Sequence, residues 1–488
     1  MRYWFIIFFI IHYINVYSQS NIASSDINNM FNHINILSEK EYLGRLPGHE
    51  GYNKAADYCA NYFKKLKLFT LFPKTYFQEF KTEFNDIHGP LAFSLKLNNE
   101  VINYDLGEDY AFRGYTGSGK VENEIVFCGY GLSQLNLGYC DYSSIEVKDK
   151  IVMVFKQNPS WRISGNNWEG NTIRYKANLA REKGAKAIIF INTPSSRRTK
   201  AIGSMSDGRE NHLNDFPMLE ISYNVVNDIL KDNEYNLDSL QSIIDEMQMP
   251  LSFNTNVVAY IEVNASYSPD KFTYNVCGFI PGADSKLKKE YIVIGAHLDH
   301  VGYQGSDLYY PGANDNASGV AVLLELANMW KKSGIKPDRT IVFVLFSCEE
   351  HGMIGSNYFV DNFVADINTI SAMINIDCVG HGDSLMVGGG LSYPKLWQHA
   401  LNNSYPEYPL SHRTWRGGGA DAQPFHEKNI PSLYFAGINA YTYLHMPGDT
   451  PKTINKNLLK YTADIVFETS VKAASKNYMK EKNIENEK

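Results

Sequence analysis

The sequence predicts an α/β fold, a three-layer α/β/α domain around a mostly parallel central sheet, interrupted by a β-rich insertion. Three observations carry this. Over residues 263–475, short strand-like runs alternate with helical stretches. Those runs are apolar on both faces, as strands are when helices cover both sides of a parallel sheet. Residues 113–262 instead read as strand-like runs punctuated by turns, and so as a separate unit. The chain has 488 residues, 44% hydrophobic and 20% charged, enough for about three folding units and too apolar for wholesale disorder. A net charge of −7 lacks the basic surface that nucleic-acid binding needs.

The elements follow in order. Met1-Arg2 precedes an apolar run, Tyr3 to Ile11, which is too short for the ~20 residues of a membrane span. Residues 1–18 therefore read as a secretory signal cut after Ser18, which predicts a secreted or extracytoplasmic protein with no stable membrane span. Residues 19–112 form the first part of the main domain. Ala55, Cys59, Phe63 and Leu66 recur there at helical spacing, and Lys64, Lys65 and Lys67 crowd the end where the helix dipole favours cations. Within the insertion, 125–128, 151–155 and 187–191 read as strands and 175–183 as a helix stopped by Gly184. The basic run from Ser196 to Lys200 reads as a solvated loop. In the main domain, 291–295, 340–346, 372–376 and 432–435 read as strands. Residues 320–330 form an almost wholly apolar helix, with Ser318 as N-cap and Gly334 as stop. The charged tail 476–488 is expected to fray. Six cysteines are too few for a disulfide scaffold. Export allows one bridge, and Cys128–Cys140 is its best pair; Cys59, Cys277, Cys348 and Cys378 read as core residues.

Polar residues stand where the apolar strands stop. His297-Leu298-Asp299-His300 follows the first, Glu349-Glu350-His351-Gly352 the second and Asp377 the third. A Gly-rich loop, Gly312 to Gly319, carries Asp315 ahead of the apolar helix. In open α/β sheets the ligand crevice lies at the carboxyl ends of the strands, so these segments converge. Taken singly, His297 is more often a hydrogen-bonded histidine, Glu349-Glu350 a solvated helix start and Asp377 a cap. Taken together they place imidazole and several carboxylates in one cleft. Such carboxylates resist joint ionisation unless a cation is present. Imidazole with carboxylate and no cysteine cluster suits Zn²⁺, with Mn²⁺ or Co²⁺ as substitutes. Two ions would need a bridging carboxylate. Residue type alone leaves open which of Glu349 and Glu350 is a ligand, and which downstream histidine joins them.

In these segments, and in His445-Met446-Pro447-Gly448-Asp449-Thr450, the chain resembles the M28 family of zinc exopeptidases. The likeness reaches upstream to Gly44-Arg45-Leu46-Pro47-Gly48 and covers most of residues 30–470. The insertion resembles, more weakly, a protease-associated (PA) domain. The resemblance implies a peptidase domain over 19–112 and 263–475, with the PA domain at 113–262. It implies two Zn²⁺ bridged by Asp315, one completed by His297 and Asp377, the other by Glu350 and His445. It makes Glu349 the general base and places Asp299 behind His297, orienting the ring through its second nitrogen. His351, His381, His399, His412 and His426 lack the Pro-Gly-Asp-Thr context and are expected to be structural or superficial.

The expected activity is that of a secreted aminopeptidase acting on peptide or protein substrates. A carboxypeptidase of the same family is the near alternative, with Arg413 and Arg416 as possible partners of a terminal carboxylate. A glutaminyl cyclase or a non-catalytic binding protein is more distant. Two departures concern the substrate side. Leu444 precedes His445 where some relatives place Tyr, which leaves Tyr443 as a candidate oxyanion donor. Ala420 and Ala422 flank Asp421 where relatives commonly have Ser and His, while Phe425 is kept.

Overall fold

The computed structural model describes residues 25–98, 100–170 and 172–483, so the expected signal at 1–18 lies outside the described residues. The apolar runs of the main domain form strands Tyr291–His297, Thr340–Phe346, Ile370–Ile376 and Ser432–Gly437. All four lie parallel: Tyr291–His297 pairs with both Thr340–Phe346 and Ile370–Ile376, and the latter pairs with Ser432–Gly437. Parallel strands need crossovers, and helices supply them. Helices Gly319–Ser333 and Lys456–Ala474 pack with Ile27–Leu37 and Glu50–Lys65 on one face, around Val320, Leu324, Leu458 and Phe467. Phe346, Phe359, Met373 and Phe425 fill the other face. The expected three layers are present.

The insertion has its own parallel strands, Gly119–Cys128, Ile151–Phe155, Ala187–Ile191 and Met218–Ile221, with Ile173–Glu182 as one covering helix. The short strand Tyr110–Phe112 closes this edge, so the unit's sheet begins just before residue 113. The two units share one 14-stranded sheet. Strand Ser252–Ile280, 29 residues long, joins them. Its early residues pair with Gly119–Cys128, its last with Thr340–Phe346, and most of its length with the 21-residue strand Phe77–Leu97. The expected boundary at residue 262 therefore falls inside a strand, beside a register shift between Glu262 and Asn264.

Three local expectations are corrected. Ser318 is not a side-chain N-cap: its Oγ donates to the Asn314 carbonyl (2.7 Å), while Asn316 Oδ1 accepts from Gly319 N–H (2.9 Å). A tight turn over 313–318 occupies the place of a simple cap. Gly334 does end the helix, in the left-handed conformation. Cys128 and Cys140 are both buried and free, as are the other four cysteines. The tail is tied down as far as described: Tyr478 is buried, Arg339 donates to its carbonyl (3.0 Å), and Glu481 accepts from the amides of Lys395 and Leu396. Among the described residues no helix is long and apolar enough to cross a membrane.

Candidate metal centre and active site

Parallel register brings the strand ends to one edge. His297 closes its strand opposite Phe346, and Glu349 and Glu350 follow just beyond. Ile376 ends beside Phe435, which puts Asp377 at the same edge. Asp315 reaches the edge from the loop before helix Gly319–Ser333, and His445 from the loop after Ser432–Gly437.

The Asp315 loop is held almost entirely by side chains, which explains its composition. The Asp449 carboxylate accepts from the amides of Asn314 (2.8 Å) and Asp315 (3.0 Å). Asn314 donates to Ala440 O and accepts from Gly380 N–H. Asn316 Nδ2 donates to Ile376 O, tying the loop to the strand that delivers Asp377. Gly312 has φ +58°, and a Cβ there would stand 2.4 Å from the Asp315 carbonyl oxygen, so only glycine fits.

The two oxygens of Asp315 face different partners. Oδ1 lies 3.3 Å from His297 Nε2, which is also 3.2 Å from Asp377 Oδ1. Oδ2 lies 3.2 Å from His445 Nε2, which is 2.9 Å from Glu350 Oε2. The atoms of each group lie within 4.8 Å of one another. All five residues expected as ligands are thus assembled, in the expected pairs. Neighbouring side chains diverge at Glu349-Glu350: Glu350 enters a group, whereas the part-buried Glu349 carboxylate enters neither.

Asp299 departs in part from expectation. His297 Nδ1 meets the Asp299 carbonyl oxygen at 3.1 Å, while the nearer carboxylate oxygen stands 3.8 Å away. That carboxylate instead accepts from the amides of Glu349 (3.1 Å) and Glu350 (3.2 Å). The segment leaving strand Thr340–Phe346 has amides with no ladder partner, and the buried carboxylate satisfies them.

Four residues received no role from the sequence. His300 Nδ1 is 3.0 Å from Glu350 Oε1 and 3.6 Å from Asp315 Oδ2. Buried Arg45 donates to the carbonyls of Leu37, Leu298, Pro311 and Gly312, all at 2.8–2.9 Å, linking the His297 and Asp315 loops. Asp449 holds the Asp315 loop as described. Tyr434 donates to Asp377 Oδ2 (3.1 Å) and meets Tyr441 at 3.1 Å between hydroxyls. The signals were present in the Gly-Arg-Leu-Pro-Gly, His-x-Asp-His and Pro-Gly-Asp-Thr segments, but a residue that binds backbone carbonyls or amides has no characteristic partner in sequence.

The remaining candidates lie elsewhere. His351, His381, His399, His412 and His426 enter neither ligand group. His351 is buried with Nδ1 3.4 Å from Thr82 Oγ1, His381 approaches Thr453 O at 2.9 Å, and His412 is exposed. Tyr443 packs against the His381 ring. Ala422 and Phe425 belong to an apolar cluster, and Arg413 and Arg416 are exposed.

The electrostatics fit cations. Burial opposes charge on His297, but Asp377 and Asp315 hold its pKa well above the imidazole range. Burial likewise opposes charge on His445, yet Glu350 and Asp315 raise it to about 10. Against the pull of burial, the imidazoles hold Asp315 well below the usual carboxylate range and Glu350 at about 2. Protons on the imidazoles thus do what a divalent ion would do better, and metal binding displaces such protons. Burial pushes Glu349 the other way, well above its ordinary value; His297 opposes this, while Glu350 and Asp421 add to it. A raised carboxyl outside the ligand set is what a proton carrier needs.

A parallel sheet gathering two histidine–carboxylate groups around one shared aspartate defines a protein with a candidate metal centre at its strand ends. Similarity to known proteins makes this particular. Residues 275–470 match the family model for peptidase family M28, and residues 117–229 match that for the PA domain. Aminopeptidase YwaD of Bacillus subtilis (strain 168) is 30% identical over 198 residues, 38% of this chain and 41% of that protein. The aminopeptidase structure from Aneurinibacillus sp. strain AM-1 superposes with a TM-score of 0.63 at 23% identity, covering 93% of this chain and 95% of that one. The zinc aminopeptidase BSAP from Bacillus subtilis gives 0.62 at 21%, covering 93% and 97%. These two likenesses show a shared fold over nearly the whole described chain. The alignments with the first curated relatives span between 30% and 58% of those proteins' own lengths.

Proposed function

We propose that the protein is a metal-dependent exopeptidase, an aminopeptidase that hydrolyses N-terminal peptide bonds at a site for two Zn²⁺. The observation that carries this is the divided orientation of Asp315, one oxygen toward His297 and Asp377, the other toward His445 and Glu350. Asp315 would be shared, with His297 and Asp377 on one ion and Glu350 and His445 on the other. When bound, such ions lower the pKa of water toward neutrality and stabilise charge on a carbonyl oxygen. Glu349, outside both groups, takes a proton from the attacking water and returns it to the leaving amine, a contribution of ~10²–10⁴-fold. Asp299 fixes the Glu349 and Glu350 amides and so the direction of both side chains. Mn²⁺ or Co²⁺ would serve the same donors.

The carboxypeptidase reading uses the same centre and differs only in the cations that would meet a terminal carboxylate. Two complete groups speak against a one-zinc glutaminyl cyclase, and a ligand set with its base intact against a mere binding protein. Aminoacyl-anilides, N-blocked peptides and C-terminally amidated peptides separate these readings. An aminopeptidase cleaves the first and third and spares the second; cleavage of N-blocked peptides only would assign the carboxypeptidase. Export with cleavage after Ser18 is part of the proposal. N-terminal sequencing of the exported protein should begin at Gln19, and retention of Met1 would contradict it.

A further inference from the structure

The basic run from Ser196 to Lys200 is the solvated loop its sequence suggested, exposed from Arg197 to Lys200. Its residues Arg197 to Lys200 line a cavity of about 560 Å³ together with the His445 loop, including Leu444 and Met446 on either side of that histidine. Tyr441 also lines the cavity, and its hydroxyl meets that of Tyr434, which donates to Asp377; the cavity thus borders the His445 loop and the tyrosine pair that reaches Asp377. The loop is anchored from end to end. Thr193 N–H donates to Gln157 Oε1 (2.8 Å), and Thr199 O accepts from Tyr223 N–H (2.8 Å). Gly203 N–H donates to the carbonyl of His445 itself (3.0 Å). Beyond it, buried Arg113 binds Asp207 and Glu220.

The charge on this part of the lining is unbalanced. Lys200 is paired with Glu108, which also lines the cavity (2.5 Å). Arg197 and Arg198 line it too, both exposed and with no ion pair among the described residues. Guanidinium groups are suited to binding carboxylates in a fork. We propose that this cavity is a substrate subsite for a carboxylate, with Arg197 and Arg198 as specificity-determining residues supplied by the PA domain. The carboxylate is that of an acidic side chain or of a short peptide's own C-terminus. The inference rests on the peptidase reading above and names its substrate class.

Four peptides test it: one sequence with Glu or Gln at the second position, each with a free or amidated C-terminus. The intact metal-loaded protein should favour Glu over Gln, or free over amidated termini, by about tenfold in kcat/KM, less at high salt. The contrast that appears identifies the source of the carboxylate. Arg197→Gln/Arg198→Gln should abolish it while leaving turnover of the neutral amidated peptide unchanged. Arg197→Lys/Arg198→Lys should retain most of it. Equal ratios in the intact and Gln-substituted proteins would overturn the subsite. If no peptide is cleaved at all, the peptidase reading falls, and binding of the same four peptides by calorimetry still decides the subsite. Tighter binding of the acidic peptides that the Gln substitutions remove would support it, and identical affinities would reject it.

Discussion

Arg45 shows how the centre depends on residues that touch no substrate. Its guanidinium is fully buried and is satisfied by backbone carbonyls. Each carbonyl left without a donor costs about 1–3 kcal/mol. Arg45→Met should therefore destabilise the fold by at least about 3 kcal/mol, read as a lower urea midpoint, with weaker zinc binding because the Leu298 and Gly312 segments loosen together. A midpoint within error of the native protein would remove Arg45 from this role. Asp299→Ala removes the acceptor of the Glu349 and Glu350 amides. A fall of roughly 10–100-fold in zinc affinity or activity is expected, typical of residues supporting metal ligands. At this scale the sequence was informative about which residues gather at the site, since histidines and acids seldom collect at the ends of several core strands for structural reasons alone. It was silent on Arg45 and incomplete on Asp299, because their partners are backbone groups distant in the chain.

Helix Ile27–Leu37 carries one of three matching pH signals, since burial lowers His33, His212 and His351 alike from 6.5 to about 4. Its His33 is buried, with Nδ1 2.6 Å from the Tyr58 hydroxyl and its ring edge-on to Tyr62. Burial, with help from Lys65, lowers its pKa from 6.5 to about 4. The unfolded chain therefore binds a proton between those values that the folded chain refuses. Stability fully present above pH 6.5 is lost as pH falls to about 4, by about 3 kcal/mol. His33→Gln should reduce the slope of the urea midpoint against pH over that window without flattening it, because His212 and His351 titrate there too, and an unchanged slope would assign the effect to other groups. The elements themselves were largely legible. Strand Thr340–Phe346 matches its apolar run, and Gly334 ends its helix as read. The tight turn over 313–318 was not, because its bonds run to Ile376, Ala440 and Asp449 across the sheet edge.

The whole molecule is less modular than its sequence. Composition and turn spacing separated a β-rich insertion from a peptidase core. Strand Ser252–Ile280 instead serves both, and Gly203 of the PA domain holds the His445 carbonyl. Long-range strand pairing leaves no local trace, so neither feature could be read in advance. The two units should consequently unfold together. Urea unfolding followed by Trp161 and Trp168 fluorescence, read as the difference from a Trp161→Phe/Trp168→Phe variant because Trp330, Trp397 and Trp415 lie in the core unit, and by zinc release, should give coincident transitions. Separated midpoints would show the units to be energetically independent. Deleting 113–262 would cut through the shared strand and should cost metal binding as well as altering substrate range.

The central claim is that Asp315 is shared by two ions while Glu349 belongs to neither. Metal analysis of Glu349→Gln alongside its peptide turnover tests this most directly. Two zinc ions per chain, with activity down by about 10²–10⁴-fold, are predicted. Loss of zinc from that variant, or full activity with the metal retained, would contradict the account.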